Sequence, residues 1–196
     1  AYIGSDFYKE GEIAVKWLED FLEKQGRHKE PIRIVHIQGT NDSTPQLVNT
    51  VPHEKAAERH PNWEIVAQEC GDFTKAKAYE VMSSILNRTK DIDVVYCEND
   101  GEALGAIAAM EEAGLKCDPE EGVIVISFDA TRLGLEYTLA GKIALNVECN
   151  PLQGPYVDKV IKKLERGEYY DRISYVDETF FDYQTITREM IDSREY

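Results

Sequence analysis

Apolar residues along this chain switch repeatedly between two periods. Ala14, Trp17, Leu18, Phe21 and Leu22 recur at helical spacing after the cap-type pair Ser5 and Asp6, and Gly26 follows as a stop. Residues 32–37 are then a short β-branched apolar run, a strand, ending in a polar turn over 38–43. A weaker helix is predicted over 45–59, broken or kinked near Pro52. The unit repeats. A strand over 63–68 leads through Gly71, Asp72 and Phe73 to a helix capped by Thr74, with Ala78, Val81, Met82, Ile85 and Leu86 on one face. A strand over 92–97 leads to a helix capped by Asp100, carrying Ala103, Leu104, Ile107 and Ala108 and stopped by Gly114. A strand over 123–128 ends at Asp129, before a short helix from Thr131 through Leu139 that Gly141 stops. The fifth strand, 143–147, runs into Glu148, Cys149 and Asn150.

Strands that alternate with helices and are apolar on both faces imply a parallel sheet covered on both sides, with right-handed crossovers. The expected fold is therefore α/β, a three-layer αβα, Rossmann-like lobe with a mainly parallel five-stranded sheet. The tail departs from this rhythm. Val157, Val160, Ile161 and Leu164 make one more apolar helical face, ended by Gly167, and 173–176 and 179–181 read as short strands.

Charge narrows the partners. Lys plus Arg number 22 against 37 Asp plus Glu, a formal net charge of −15. Nucleic acid and anionic membrane surfaces both need a basic face, and here the basic residues are scattered among a larger number of acids. No apolar run reaches the roughly 18–20 residues of a membrane span. Cys70, Cys97, Cys117 and Cys149 form no C-x-x-C pair, so they read as free or buried thiols rather than a zinc site.

In open parallel sheets ligands bind outside the carboxyl ends of the strands. Those ends carry Asp42, Asp72 with Phe73, Asn99 with Asp100, Asp129, and Glu148 with Asn150, and none is Lys or Arg. No phosphate-binding P-loop, dinucleotide fingerprint or G-x-S-x-G elbow occurs. His28, His36, His53 and His60 all lie away from strand ends, which argues against a catalytic triad, and His53 and His60 read as solvated surface residues. A metal among Asp42, Asp100 and Asp129 has no D-x-D loop behind it, and no cofactor is implied. The set suits a neutral polyhydroxylated ligand. Carboxylates accept from hydroxyls, Asn offers both donor and acceptor, and an aromatic ring covers the C–H face of a sugar. Blander roles compete for most of these positions. Asp100 reads as a helix cap, Asp72 as a turn residue, Phe73 as a core anchor and Asn150 as a turn residue before Pro151. Asp129 is the strongest candidate, because Thr131 already supplies the cap.

Five stretches then carry a resemblance. Ile3-Gly4-Ser5-Asp6-Phe7, Gly71-Asp72-Phe73-Thr74-Lys75-Ala76-Lys77, Asn99-Asp100 with Ala103-Leu104-Gly105-Ala106-Ile107, Ser127-Phe128-Asp129, and Val147-Glu148-Cys149-Asn150-Pro151-Leu152 with Gly154-Pro155 resemble type I periplasmic solute-binding proteins. The ribose and galactofuranose binders of bacterial sugar ABC transporters are the group they are most similar to. The resemblance implies a periplasmic or extracellular receptor, tethered as a lipoprotein in its full-length form. Such a receptor holds a neutral mono- or small oligosaccharide between two lobes, serves an ABC transporter permease, and has no catalysis. It implies that residues 1–149 are the C-terminal lobe, the N-terminal lobe being absent, and that 150–196 hold a hinge crossing plus a helix and strands that largely return to that other lobe. The helix over 156–166 is expected to pack on a second copy of the chain or on exposed sheet surface.

Position by position, Phe73 resembles a stacking aromatic, and Asn99 and Asp129 resemble hydroxyl-binding residues. Glu148 to Asn150 resemble the last hinge crossing near the ligand, and Asp42 stands in the loop after the first strand of the lobe. The family's Arg in that loop is missing from Asp42-Ser43-Thr44-Pro45-Gln46-Leu47-Val48-Asn49. Two other readings share the pattern. One is a sugar-sensing effector domain of a lactose-repressor-like regulator or membrane sensor kinase. The other is an α/β enzyme using Asp42, Asp129 or Glu148.

Overall fold

A computed structural model describes residues 1–196. Five parallel strands form the body of one sheet: β2 (Ile32–Gln38), β3 (Trp63–Cys70), β4 (Val94–Cys97), β5 (Ile124–Asp129) and β6 (Leu145–Glu148). A short strand, β1 (Tyr2–Gly4), precedes them. Successive side chains of a strand point to opposite faces, so each strand supplies two cores. On one face Ile34, Val94, Tyr96, Ile126 and Phe128 meet Ala14, Leu18 and Leu22 of α1 (Phe7–Lys24) and Ala56 of α2 (Thr44–Arg59). On the other, Val35, Val95, Cys97 and Val125 meet α3 (Lys75–Leu86) and α4 (Asp100–Glu112). Helix α5 (Arg132–Leu139) follows β5. The caps at Asp6, Thr74 and Thr131 form as expected, each side chain accepting from a backbone N–H of the first turn. Helix α2 runs unbroken through Pro52, with Ser43 as its cap and Pro45 at its start, where a missing N–H costs nothing.

The tail divides in a way the pattern did not reveal. The main sheet has six strands, in the order β3-β2-β4-β5-β6-β8. The sixth, β8 (Phe180–Asp182), lies antiparallel on β6, with Asn146 opposite Phe181. It covers the edge that β6 would otherwise leave open. Helix α7 (Arg188–Asp192) follows, and Ile191 joins Leu135, Phe181 and Ile186 in a small apolar cluster. Residues from 179 on therefore pack on the same body as 1–149. Only the middle of the tail leaves it. Helix α6 (Gly154–Glu165) buries no residue: Val157, Ile161 and Leu164 are 39%, 48% and 51% exposed, so the helix packs on no sheet of this chain. Strand β7 (Ile173–Tyr175) pairs in parallel with β1 in a separate two-stranded sheet.

Candidate functional site

The five non-glycine residues with positive φ all stand at or shortly after strand carboxyl ends: Asp42 (64°), Asp72 (55°), Phe73 (55°), Asp129 (94°) and Ala130 (53°). Such backbone costs of order 1–3 kcal/mol each and persists only where surrounding contacts hold it. Beside these loops lies a hollow of about 220 Å³, lined by Phe7, Glu10, Pro45, Asn49, Phe73, Glu98, Asn99, Phe128, Asp129 and Cys149. Of the residues expected at the site, the structure brings Phe73, Asn99 and Asp129 together there.

Phe73 is fixed from two sides. Its backbone N–H donates to Glu102 Oε1 at 2.9 Å, and its carbonyl accepts from Asn99 Nδ2 at 3.1 Å. Its ring lies on Gly39, where a Cβ would stand 1.9 Å from Phe73 Cζ. Only glycine fits beneath the ring. Glu102 closes the loop by accepting from Glu98 N–H at 3.0 Å through its other oxygen.

The adjacent pair Asn99 and Asp100 exchange their expected roles. Asn99 is the cap of α4, its Oδ1 accepting from Glu102 N–H at 2.8 Å. Asp100 is a buried hub. It accepts from Ser127 Oγ at 2.7 Å, Thr131 N–H at 2.7 Å, Thr131 Oγ1 at 2.6 Å and Asn146 Nδ2 at 2.6 Å. Burial raises its pKa against those hydrogen bonds. A carboxylate so occupied is neither ligand contact nor metal ligand.

Asp129 is the opposite case. No donor or cation of the chain meets its carboxylate, and burial, with Asp100 adding its charge, pushes its pKa up to about 7.

Three expected site residues lie elsewhere. Asp42 is exposed in its loop, its N–H donating to Gln46 Oε1 at 3.3 Å. Glu148 is buried but faces the chain terminus, accepting from Thr179 N–H and Arg194 Nη2, both at 2.9 Å, and from Tyr196. Asn150 makes a turn, accepting from Leu152 N–H at 2.8 Å and donating to Asp177 O at 3.0 Å.

The hollow also contains residues that sequence reasoning missed. Glu98 directly precedes Asn99. It accepts from His36 Nε2 (3.0 Å), Thr50 Oγ1 (2.6 Å) and Gly39 N–H (2.8 Å), which ties the floor under Phe73 to β4. Glu10 lies four residues before Ala14, on the apolar stripe of α1, and that spacing is the signal for it. Its carboxyl is 2% exposed; Oε2 accepts one long bond from Asn49 Nδ2 (3.5 Å) and Oε1 has no partner. Outside the hollow, His53 is buried, not a surface residue. It lies on the inner face of α2 and its ring stacks on Tyr96 at 4.6 Å. Burial, with His36 nearby, holds its pKa well below the ordinary value, so it stays neutral.

The carboxylate and thiol atoms of Glu10, Cys149 and Glu178 lie within 4.8 Å of one another. Ser5 Oγ occupies the space between the last two: its O–H donates to Glu178, and the Cys149 thiol donates to it at 3.2 Å.

Burial, reinforced by the Glu178 charge, pushes Glu10 to about 9, against 4.5 for a free side chain. The native state thus holds this proton more tightly than the unfolded chain does. The resulting stability is complete below about pH 4.5 and drains away as pH rises through about 9. Glu10→Gln mimics the protonated form. Urea denaturation should find the variant and the wild type matched near pH 5 and the variant more stable at pH 9. An equal pH dependence in both would refute the assignment.

Comparison with known proteins places this geometry. A family model described as periplasmic binding protein domain matches residues 1–168. The galactofuranose-binding protein YtfQ of Escherichia coli is 30% identical over 179 residues, covering 89% of this chain and 55% of that protein. The ribose import binding protein RbsB of Salmonella typhimurium is 29% identical over 169 residues, 86% and 53% of the two chains. Among solved structures, a protein from Mycobacterium smegmatis in complex with β-D-fucofuranose superposes with a TM-score of 0.83 at 34% identity, covering 94% of this chain and 59% of that one. The binding protein of the arabinose ABC transporter from Shewanella sp. ANA-3, bound to L-arabinofuranose, gives 0.85 at 28% identity, covering 98% and 62%. The chain spans about half the length of the curated relatives it matches.

Proposed function

The chain belongs to the periplasmic binding protein domain family, and on that footing we propose that it is the sugar-gripping lobe of a solute receptor serving an ABC transporter. The observation that carries this reading is the unpartnered carboxylate of Asp129, held at φ 94° in the hollow that Phe73 and Asn99 also line. An aromatic face, a carboxylate and an amide around one small concavity match a sugar's apolar C–H face and its hydroxyls. The absence of Lys and Arg from the lining disfavours phosphorylated and acidic ligands. The one thiol of the lining, Cys149, donates to Ser5 Oγ, and burial pushes its pKa up to about 12, which supports a lobe that binds rather than one that catalyses.

The rest of the receptor would cover what this chain leaves bare: the outer face of α6 and the β1–β7 sheet. Three connections leave the main body toward those elements, at Ser5, Asn150 and Glu178. They are lashed together, Glu178 Oε1 accepting from Ser5 Oγ and from Asn150 N–H at 2.9 Å. This is the arrangement of a hinge. A ligand touching both lobes favours the closed form by its extra contacts there, and closure is the state a permease would read. The receptor would work outside the cytoplasmic membrane, tethered by a lipid anchor. A face covered by a second copy instead would appear as a dimer in sedimentation.

The test is calorimetry of the full-length protein against pentoses, hexoses and their phosphate esters. A free sugar should bind and its phosphate ester should not. Preference for the ester, or turnover of a glycoside, would overturn the reading.

A further inference from the structure

The hollow is short of positive charge. Its ionisable carboxyls are Glu10, Glu98 and Asp129, and no cationic side chain lines it. Glu98 is answered by His36, Thr50 and the Gly39 N–H. Glu10 and Asp129 are not. Asp129 has no donor, Glu10 Oε1 is buried without a partner, and so is Asn49 Oδ1 beside it. The Cys149 thiol is engaged with Ser5. The lining amides keep only one free N–H each, on Asn49 and Asn99, because their other N–H groups go to Glu10 and to Phe73 O. Acceptors are therefore in surplus, and Glu10 and Asp129 face no cation.

An acid in the first turn of a helix is ordinarily satisfied by that helix's own N–H groups and dipole. Glu10 does not follow that rule. Its single bond crosses to Asn49 on α2, and the groups whose charges reach it add no cation: Asp6 at the cap of α1, Asp129 at the end of β5 and Glu178 on the tail. A buried carboxylate without a cation is costly, which is why Glu10 holds its proton up to about pH 9; an ammonium beside it would let it ionise. A hydroxyl brings one donor and two acceptors, whereas an ammonium brings three donors, no acceptor and a full charge. The aromatic walls, Phe7, Phe73 and Phe128, also suit a cation better than a further hydroxyl.

We propose that the sugar held in this hollow carries a protonated amine, which faces Glu10 and Asp129. The proposal rests on the sugar-binding reading and names the class of sugar more narrowly.

Matched pairs separate the two. The full-length protein is titrated calorimetrically at pH 7 with D-glucosamine and D-glucose, D-galactosamine and D-galactose, and D-mannosamine and D-mannose. In at least one pair the amine should bind tenfold or more tightly than the hydroxyl sugar. Glu10→Gln should abolish most of that preference, costing the amine at least tenfold more than it costs the hydroxyl sugar, with circular dichroism showing a folded protein. Should that variant fail to fold, Asp129→Asn carries the test, costing the amine at least tenfold more than it costs the hydroxyl sugar. Hydroxyl sugars binding as well as their amines in every pair would overturn the amine assignment and leave the sugar reading intact. Binding of neither member of any pair would overturn both. A preference undiminished in both variants would overturn the role given to these carboxylates.

Discussion

Asp100→Ala should unfold this protein more readily than any other single truncation near the hollow, with a loss of about 3–5 kcal/mol. The side chain gathers four donors from three places. Ser127 comes from β5, the Thr131 hydroxyl and N–H from the cap of α5, and the Asn146 amide from β6. Removing the carboxylate leaves the buried Asn146 amide without this acceptor, Ser127 Oγ with only a 3.5 Å contact to Phe128 O, and the cap of α5 without its anchor. The damage spreads further, because Asn146 Oδ1 in turn accepts from Ala130 N–H at 3.0 Å and so helps hold the loop that presents Asp129. The carboxylate is also closely packed: at Gly134, on α5, a Cβ would stand 2.1 Å from Asp100 Oδ2. Urea denaturation should show a lower midpoint with an unchanged slope. A loss below about 1 kcal/mol would mean that water replaces the missing acceptor and that the hub does not organise these loops.

Asp129→Ala should do the reverse. Its carboxylate meets no donor in the chain, so its removal orphans nothing and relieves a buried charge. Stability should hold or rise slightly, while sugar affinity falls about 10- to 150-fold, the worth of a hydrogen bond to a charged group. Calorimetry and thermal melting on one preparation check both halves. A large loss of stability, or an unchanged affinity, would remove Asp129 from the site. Two aspartates at corresponding strand ends would thus serve opposite ends, one held by its neighbours and one kept for the ligand, as the usual opposition of stability and function leads one to expect.

The two residues also mark where sequence reasoning loses its grip. Asn99 and Asp100 are adjacent and both cap-type, so pattern alone cannot assign the cap. The backbone decides it: Asn99 is extended, with φ −157°, and its side chain meets Glu102 N–H, which leaves Asp100 to turn inward. Asp42, Glu148 and Asn150 illustrate the same limit. Each stands at a strand's carboxyl end, but chain position fixes only where a Cα lies. Whether the side chain enters the hollow depends on φ and on partners far along the chain, such as Arg194 and Tyr196 for Glu148. Glu10 was hidden for another reason. An acid in a first helical turn looks like ordinary helix chemistry, and the spacing to Ala14 that points it inward gains meaning only from its burial against α2.

By itself, then, the sequence determined the alternation of strands and helices, the two-sided core, and the caps at Asp6, Thr74 and Thr131. Each follows from local periodicity or from a turn's own residues, which neighbouring positions encode. The family resemblance was legible for the same reason, since its motifs are those turns. Tertiary structure alone decided that β8 returns to close the sheet while α6 stays bare. It also decided which carboxylates are satisfied and which wait for a donor, because burial and hydrogen-bond partners are set by segments up to 173 residues apart.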